Sequence, residues 1–63
     1  MDTNEPRTFI DIHQLANMIG VSRGTIHNWR ALGTGPTGYK FGTVLRFELS
    51  DVEDWIAQRR DAQ

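Results

Sequence analysis

Apolar residues fall into helical and strand-like rhythms along this chain, and the changes between them mark the predicted elements. From Ile12, the apolar positions Leu15, Ala16 and Ile19 recur at the spacing of one helical face, and Gly20 ends the run. Asp11 stands where an N-cap belongs, with Gln14 three residues on to complete an approximate capping box, so a first helix is predicted from Ile12 to about Ile19. Phe9 and Ile10 begin the core, with Phe9 placed as a staple-like residue against that helix. His13, Gln14, Asn17 and Met18 lie off its apolar face. Gly20 suits a tight turn, where positive φ is cheap only for glycine, and Val21 then points back between two helices. Ser22 restarts the helical signal as an N-cap, for a second helix that ends near Leu32 with Gly33 just past it. Thr25, Ile26, Trp29 and Leu32 form the predicted buried side of that helix.

The rhythm then changes. Gly33-Thr34-Gly35-Pro36-Thr37-Gly38 is dense in turn residues and reads as a connector. Tyr39 to Phe41 and Val44 to Phe47 read as short strands about Gly42-Thr43, a two-residue hairpin turn with glycine first. Phe41, Leu45 and Phe47 compete for the inward side of this hairpin. Ser50-Asp51-Val52-Glu53 has the form of a capping box and predicts a last helix running to about Arg59 or Arg60, with Val52, Trp55 and Ile56 facing the core. Two helices across one glycine are the sequence form of a helix-turn-helix, and a hairpin directly after it is a wing. The fold class is therefore mainly α with a small β-hairpin: a winged helix-turn-helix of three helices and a two-stranded wing. Residues 1–8, polar and without periodicity, are expected to be a flexible arm, residues 9–60 the folded domain, and residues 61–63 a tail.

Length and composition narrow the function. A chain of 63 residues makes one domain, too small for a large catalytic cleft. It has no cysteine, so disulfides and thiolate metal sites are excluded. His13 has no partner at metal-ligand spacing, and neither a metal nor a cofactor is expected. The three glycines of the connector suggest a phosphate loop only superficially, because no Gly-Lys-Ser/Thr ending follows and no strand precedes. Glu53 and Asp54 are accounted for by the helix dipole rather than by catalysis, and no nucleophile, base and oxyanion set is present, so the chain is read as not an enzyme. The start of the chain has neither a basic nor an apolar leader pattern, and no apolar run approaches a membrane span, so a cytoplasmic (bacterial host cell) location is expected.

Charge carries the most information. The net charge is -1, but from Ile12 through Phe47 there is no Asp or Glu, while Arg23, Arg30, Lys40 and Arg46 all lie there. The acid is concentrated in the flanks, with -2 over residues 1–11 and -3 over residues 48–63. A local basic patch, rather than total charge, is what attracts a phosphate backbone within a Debye length of about 8 to 10 Å. On the second helix, Arg23, Gly24, His27, Asn28 and Arg30 lie opposite the apolar side. Arg pairs with guanine and Asn with adenine in the major groove, Gly24 would permit close backbone approach, and Ser22 with the first-turn amides would hold a phosphate. Lys40 and Arg46 on the hairpin would reach phosphates or the minor groove. The competing account is that these residues merely solvate an exposed face.

The whole order resembles the excisionase or AlpA-like branch of the MerR-related winged helix-turn-helix proteins. The resemblance covers Phe9 to Arg60 and rests on Val21-Ser22-x-x-Thr25-Ile26-x-x-Trp29, Leu32-Gly33-x-Gly35-Pro36, Gly42-x-x-x-Arg46-Phe47 and Ser50-Asp51-Val52-x-x-Trp55-Ile56. It implies a recognition helix carrying Ser22, Arg23, Gly24, His27, Asn28 and Arg30, and a wing carrying Lys40, Thr43 and Arg46. Wing tips in that family are often rich in Arg, whereas here Thr43, Val44 and Leu45 separate Gly42 from Arg46, which implies a modest wing contribution or an apolar contact with a neighbouring copy. The implied function is binding of double-stranded DNA at repeated sites, cooperatively and with bending, so that a phage-type integrase is directed towards excision. The alternatives are a small transcriptional regulator of the same fold and a protein-interaction domain without DNA binding.

Overall fold

The computed structural model describes residues 7–60. The expected arm therefore lies outside the described residues except for Arg7 and Thr8, and the expected tail wholly so. The elements in order are β1 (Phe9–Ile10), α1 (Ile12–Ile19), α2 (Arg23–Leu32), β2 (Gly38–Phe41), β3 (Val44–Glu48) and α3 (Leu49–Gln58). This is the expected mainly helical, winged helix-turn-helix architecture, with one strand more than the sequence pattern predicts.

The helix-turn-helix forms as its caps require. The Asp11 carboxylate accepts from the Gln14 amide at 2.8 Å and the Gln14 side chain accepts from the Asp11 amide at 2.9 Å, closing the capping box. Gly20 ends α1 at φ 85°, in the left-handed region, and its amide donates to the Ala16 carbonyl. Ser22 Oγ then accepts from the Thr25 amide at 3.1 Å to open α2, and Gly33 closes it at φ 73°. Leu15, Ala16 and Ile26 bury the contact between the two helices.

Three antiparallel strands in the order β1-β3-β2 make the sheet. Gly42, at φ 68°, supplies the positive φ that the first central position of a two-residue hairpin turn demands. Residues directly opposite in a ladder share a face. The pairs Ile10↔Phe47, Gly38↔Phe47 and Lys40↔Leu45 therefore lie on the core side, and Phe9↔Glu48, Tyr39↔Arg46 and Phe41↔Val44 on the other. Phe47 wins the inward position and is fully buried with Ile10, Leu15, Ile26 and Val52, whereas Phe41 is 52% exposed. Phe9 is correspondingly no staple on the core side. Its ring meets Tyr39 and Phe41 edge-on, each at 5.5 Å, on the outer face of the sheet.

The start of the last helix differs from the sequence reading. Ser50 is not its N-cap: α3 begins at Leu49, Glu48 occupies the cap position, and no side chain caps it. The reason is tertiary. The Leu49 amide donates to the Thr8 carbonyl at 2.8 Å, and Arg7 pairs with the Glu48 carboxylate at 3.3 Å, so the β1 edge holds β3 to its end at Glu48 and supplies a backbone acceptor where a side chain would otherwise be needed. Ser50 and Glu53 thus sit inside the helix. The helix also stops at Gln58, with Arg59 as its cap residue. Replacing Asp11 by alanine is expected to lower stability by about 1 kcal/mol, the usual value of an N-cap, while Ser50→Ala should be neutral within about 0.5 kcal/mol. Urea melts of the two variants check the difference.

Two other residues expected to be buried face outward. Leu32 is 67% exposed and Ile56 is 41% exposed. In their place Trp29 and Trp55 close the junction of α2 and α3, with ring centroids 5.2 Å apart, and the connector packs on them. A Cβ at Gly35 would come within 3.1 Å of the Trp29 Cβ, so glycine there permits the close approach, and Pro36 beside it is buried.

Candidate nucleic-acid interface

The exposed side of α2 is set by where Ile26 points. At about 100° per residue, with Ile26 at the centre of the buried side, Arg30, Arg23 and His27 fall on one flank. Gly24, Asn28 and Ala31 lie opposite the core, and Trp29, Thr25 and Leu32 on the other flank. Ser22, Arg23, Gly24, His27, Asn28 and Arg30 are all exposed. The first flank faces the wing: a Cβ built on Gly38 would lie 3.1 Å from Arg30 Nε and 3.1 Å from Leu45 Cδ1, so the Arg30 side chain runs across the base of the hairpin. Gly38 leaves room for that crossing.

Register divides the wing residues. Lys40 lies opposite Leu45, on the face of the sheet that Arg30 crosses, and is exposed. Thr43 is exposed at the turn. Arg46, opposite Tyr39, is on the other face and half-buried, with its Nη1 donating to the Leu45 carbonyl at 2.9 Å. The structure therefore brings Arg23, His27, Arg30 and Lys40 to one side and turns Arg46 away from them.

The first turn of α2 has a divided role. Ser22 Oγ is engaged with the Thr25 amide and lies 3.0 Å from the Thr25 hydroxyl. The Arg23 and Gly24 amides have no protein acceptor among the described residues. Among the described residues a Cβ at Gly24 would find only Ser22 Oγ, at 3.7 Å, an ordinary contact that does not itself call for glycine. What its small size provides is access to the helix backbone from outside.

Three of the acidic groups among the described residues have partners of their own. Asp11 is spent on the α1 cap and Glu48 on Arg7, and Asp51 accepts the Tyr39 hydroxyl at 3.2 Å. That hydrogen bond, together with the negative charge of Asp51, raises the Tyr39 phenol above its ordinary pKa. The tie joins the outer face of β2 to α3, whose first turn carries Asp51. Among the described residues no ion pair engages Arg23, Arg30 or Lys40.

The sequence reading missed the role of Arg30 as a strut between helix and wing. Its signal was the glycine eight residues later, at a strand start where a side chain would ordinarily stand. Among the described residues no helix is long and apolar enough to cross a membrane. No curated protein matches the chain. A family model described as a helix-turn-helix domain matches residues 9–60, nearly the whole chain, and with the capped helix pair and the wing in view, the chain belongs to this DNA-binding family.

Proposed function

We propose that α2 lies in the major groove of double-stranded DNA, with Arg23, His27 and Asn28 at base edges, while the Arg23 and Gly24 amides hold a phosphate beside Ser22. Lys40 and Thr43 then meet the backbone alongside. Arg30 bridges the two by packing on the wing while offering its charge to the same strand, and Arg46 contributes from the far face. The observation that carries this reading is the exposed side shared by Arg23, His27, Arg30 and Lys40, none of which has a carboxylate partner among the described residues.

On this reading the chain is an architectural protein of the excisionase type, a recombination directionality factor rather than an enzyme, acting in the cytoplasm on a phage or mobile element. One module of this size covers roughly 600 to 1,000 Å² of interface, so useful specificity calls for several copies bound side by side on repeated sites. Bending the site costs on the order of 1 to 6 kcal/mol, offset by the added contacts, and the bent complex directs an integrase towards excision.

Fluorescence anisotropy with labelled duplex tests the DNA contact. With about four phosphates neutralised, log K should fall against log salt with a slope of roughly -3 to -4. No duplex affinity at low salt would overturn the reading and leave a protein-interaction domain. Footprints within an integrase attachment site support the directionality role, and footprints confined to a promoter would replace it with transcriptional regulation.

A further inference from the structure

On the flank of α2 away from the wing, an open groove of about 640 Å³ runs between the end of α1 and α3. Ile19, Trp29, Trp55 and Ile56 give it an apolar floor, and Arg59 and Arg60 stand at one end. Among the described residues no carboxylate lines it; Asp51 and Asp54 line a separate depression that also borders Trp55.

Among the described residues the polar groups of the groove are already used, apart from the Arg60 guanidinium. Trp55 Nε1 donates to the Thr34 carbonyl at 2.9 Å, and Arg59 Nη2 donates to the same oxygen. The Arg59 guanidinium also sits 5.0 Å from the centre of the Trp55 ring. A small polar ligand would find almost no unspent donor or acceptor, while apolar side chains would find two indoles and two isoleucines, with positive charge beside them.

We propose that this groove receives an amphipathic helix from a different protein, with an aliphatic or aromatic stripe laid on Trp29, Trp55 and Ile56 and carboxylates set against Arg60 and the outer edge of Arg59. Because the groove is on the flank of α2 opposite the wing, its occupation and DNA binding are compatible. The inference stands whether or not the excision role does.

Trp29 and Trp55 are the two tryptophans of the chain and both line this groove, so emission excited selectively at tryptophan reports on it, with Trp55 also bordering the neighbouring depression. The probe is a designed helical peptide with a leucine and phenylalanine stripe flanked by glutamates, with a lysine-flanked peptide of the same stripe as control. The acidic peptide should shift Trp emission to the blue saturably, with affinity falling as salt rises. Ile56→Glu should abolish the shift and Arg60→Glu should weaken binding about tenfold, both leaving duplex affinity and the circular-dichroism melt within twofold and a few degrees of the parent. Ile56 is already exposed, and Arg60→Glu, lying past the end of α3, keeps the test meaningful if Ile56→Glu perturbs the fold. Three results would overturn the proposal: no emission change up to about 1 mM peptide, equal binding of the lysine-flanked control, or a blue shift that grows with protein concentration alone and tracks a dimer in sedimentation.

Discussion

Phe47→Ala is expected to remove about 3 to 5 kcal/mol of stability, the usual cost of deleting a fully buried aromatic ring. Phe47 has no exposed surface, and it lies between Ile10 of β1 and Gly38 of β2 in the sheet, facing the cluster of Leu15, Ile26 and Val52. Among the described residues no other is paired with both edge strands. A domain of 63 residues has a total stability of roughly 3 to 9 kcal/mol, so the variant should be largely unfolded in a urea titration followed by circular dichroism. Phe41→Ala, which removes an equal ring from the exposed outer face, should cost under about 1 kcal/mol. Similar losses for the two would mean that the register of β3 is wrong by one residue, since a slip of one exchanges the faces.

Arg23→Ala and Lys40→Ala are expected to damage DNA binding in different ways. On the proposed reading Arg23, in the first turn of α2, reads a base edge, and its loss should then reduce discrimination at one base pair by about 1 to 3 kcal/mol. Lys40, on the wing, should weaken all duplexes alike and lessen the salt slope by about 1. Arg46→Ala should have a smaller effect than Lys40→Ala, because its guanidinium is on the opposite face of the sheet and bonded to the Leu45 carbonyl. Anisotropy titrations with a matched and a single-substituted duplex separate these outcomes. If Arg23→Ala and Lys40→Ala both left binding unchanged, the recognition surface would lie elsewhere.

The elements most legible in the sequence are those whose determinants are local. A capping box spans three residues, a positive φ belongs to one glycine, and a helical face repeats within a single segment. Asp11, Gly20, Ser22, Gly33 and Gly42 therefore mark their ends and turns correctly, and the exposure of Arg23, His27 and Asn28 follows from the phase of Ile26. The acid-free run from Ile12 to Phe47 likewise contains α1, α2 and β2 whole and all of β3 but Glu48.

Tertiary structure decided what depends on partners distant in the chain. Ser50-x-x-Glu53 is a sound local cap signal, yet the Thr8 carbonyl, some forty residues away, takes the Leu49 amide and starts the helix earlier. Phe9, Phe41 and Phe47 are equally apolar, and only the ladder register sends Phe47 inward and the other two to the outer face. Lys40 and Arg46 look equivalent as wing cations until the same register separates them. Arg30 reads as one more exposed arginine until the space left by Gly38 lets it cross the wing. Short-range hydrogen bonding and periodicity are written residue by residue, whereas strand pairing and the choice among competing apolar side chains are settled only when the whole chain packs.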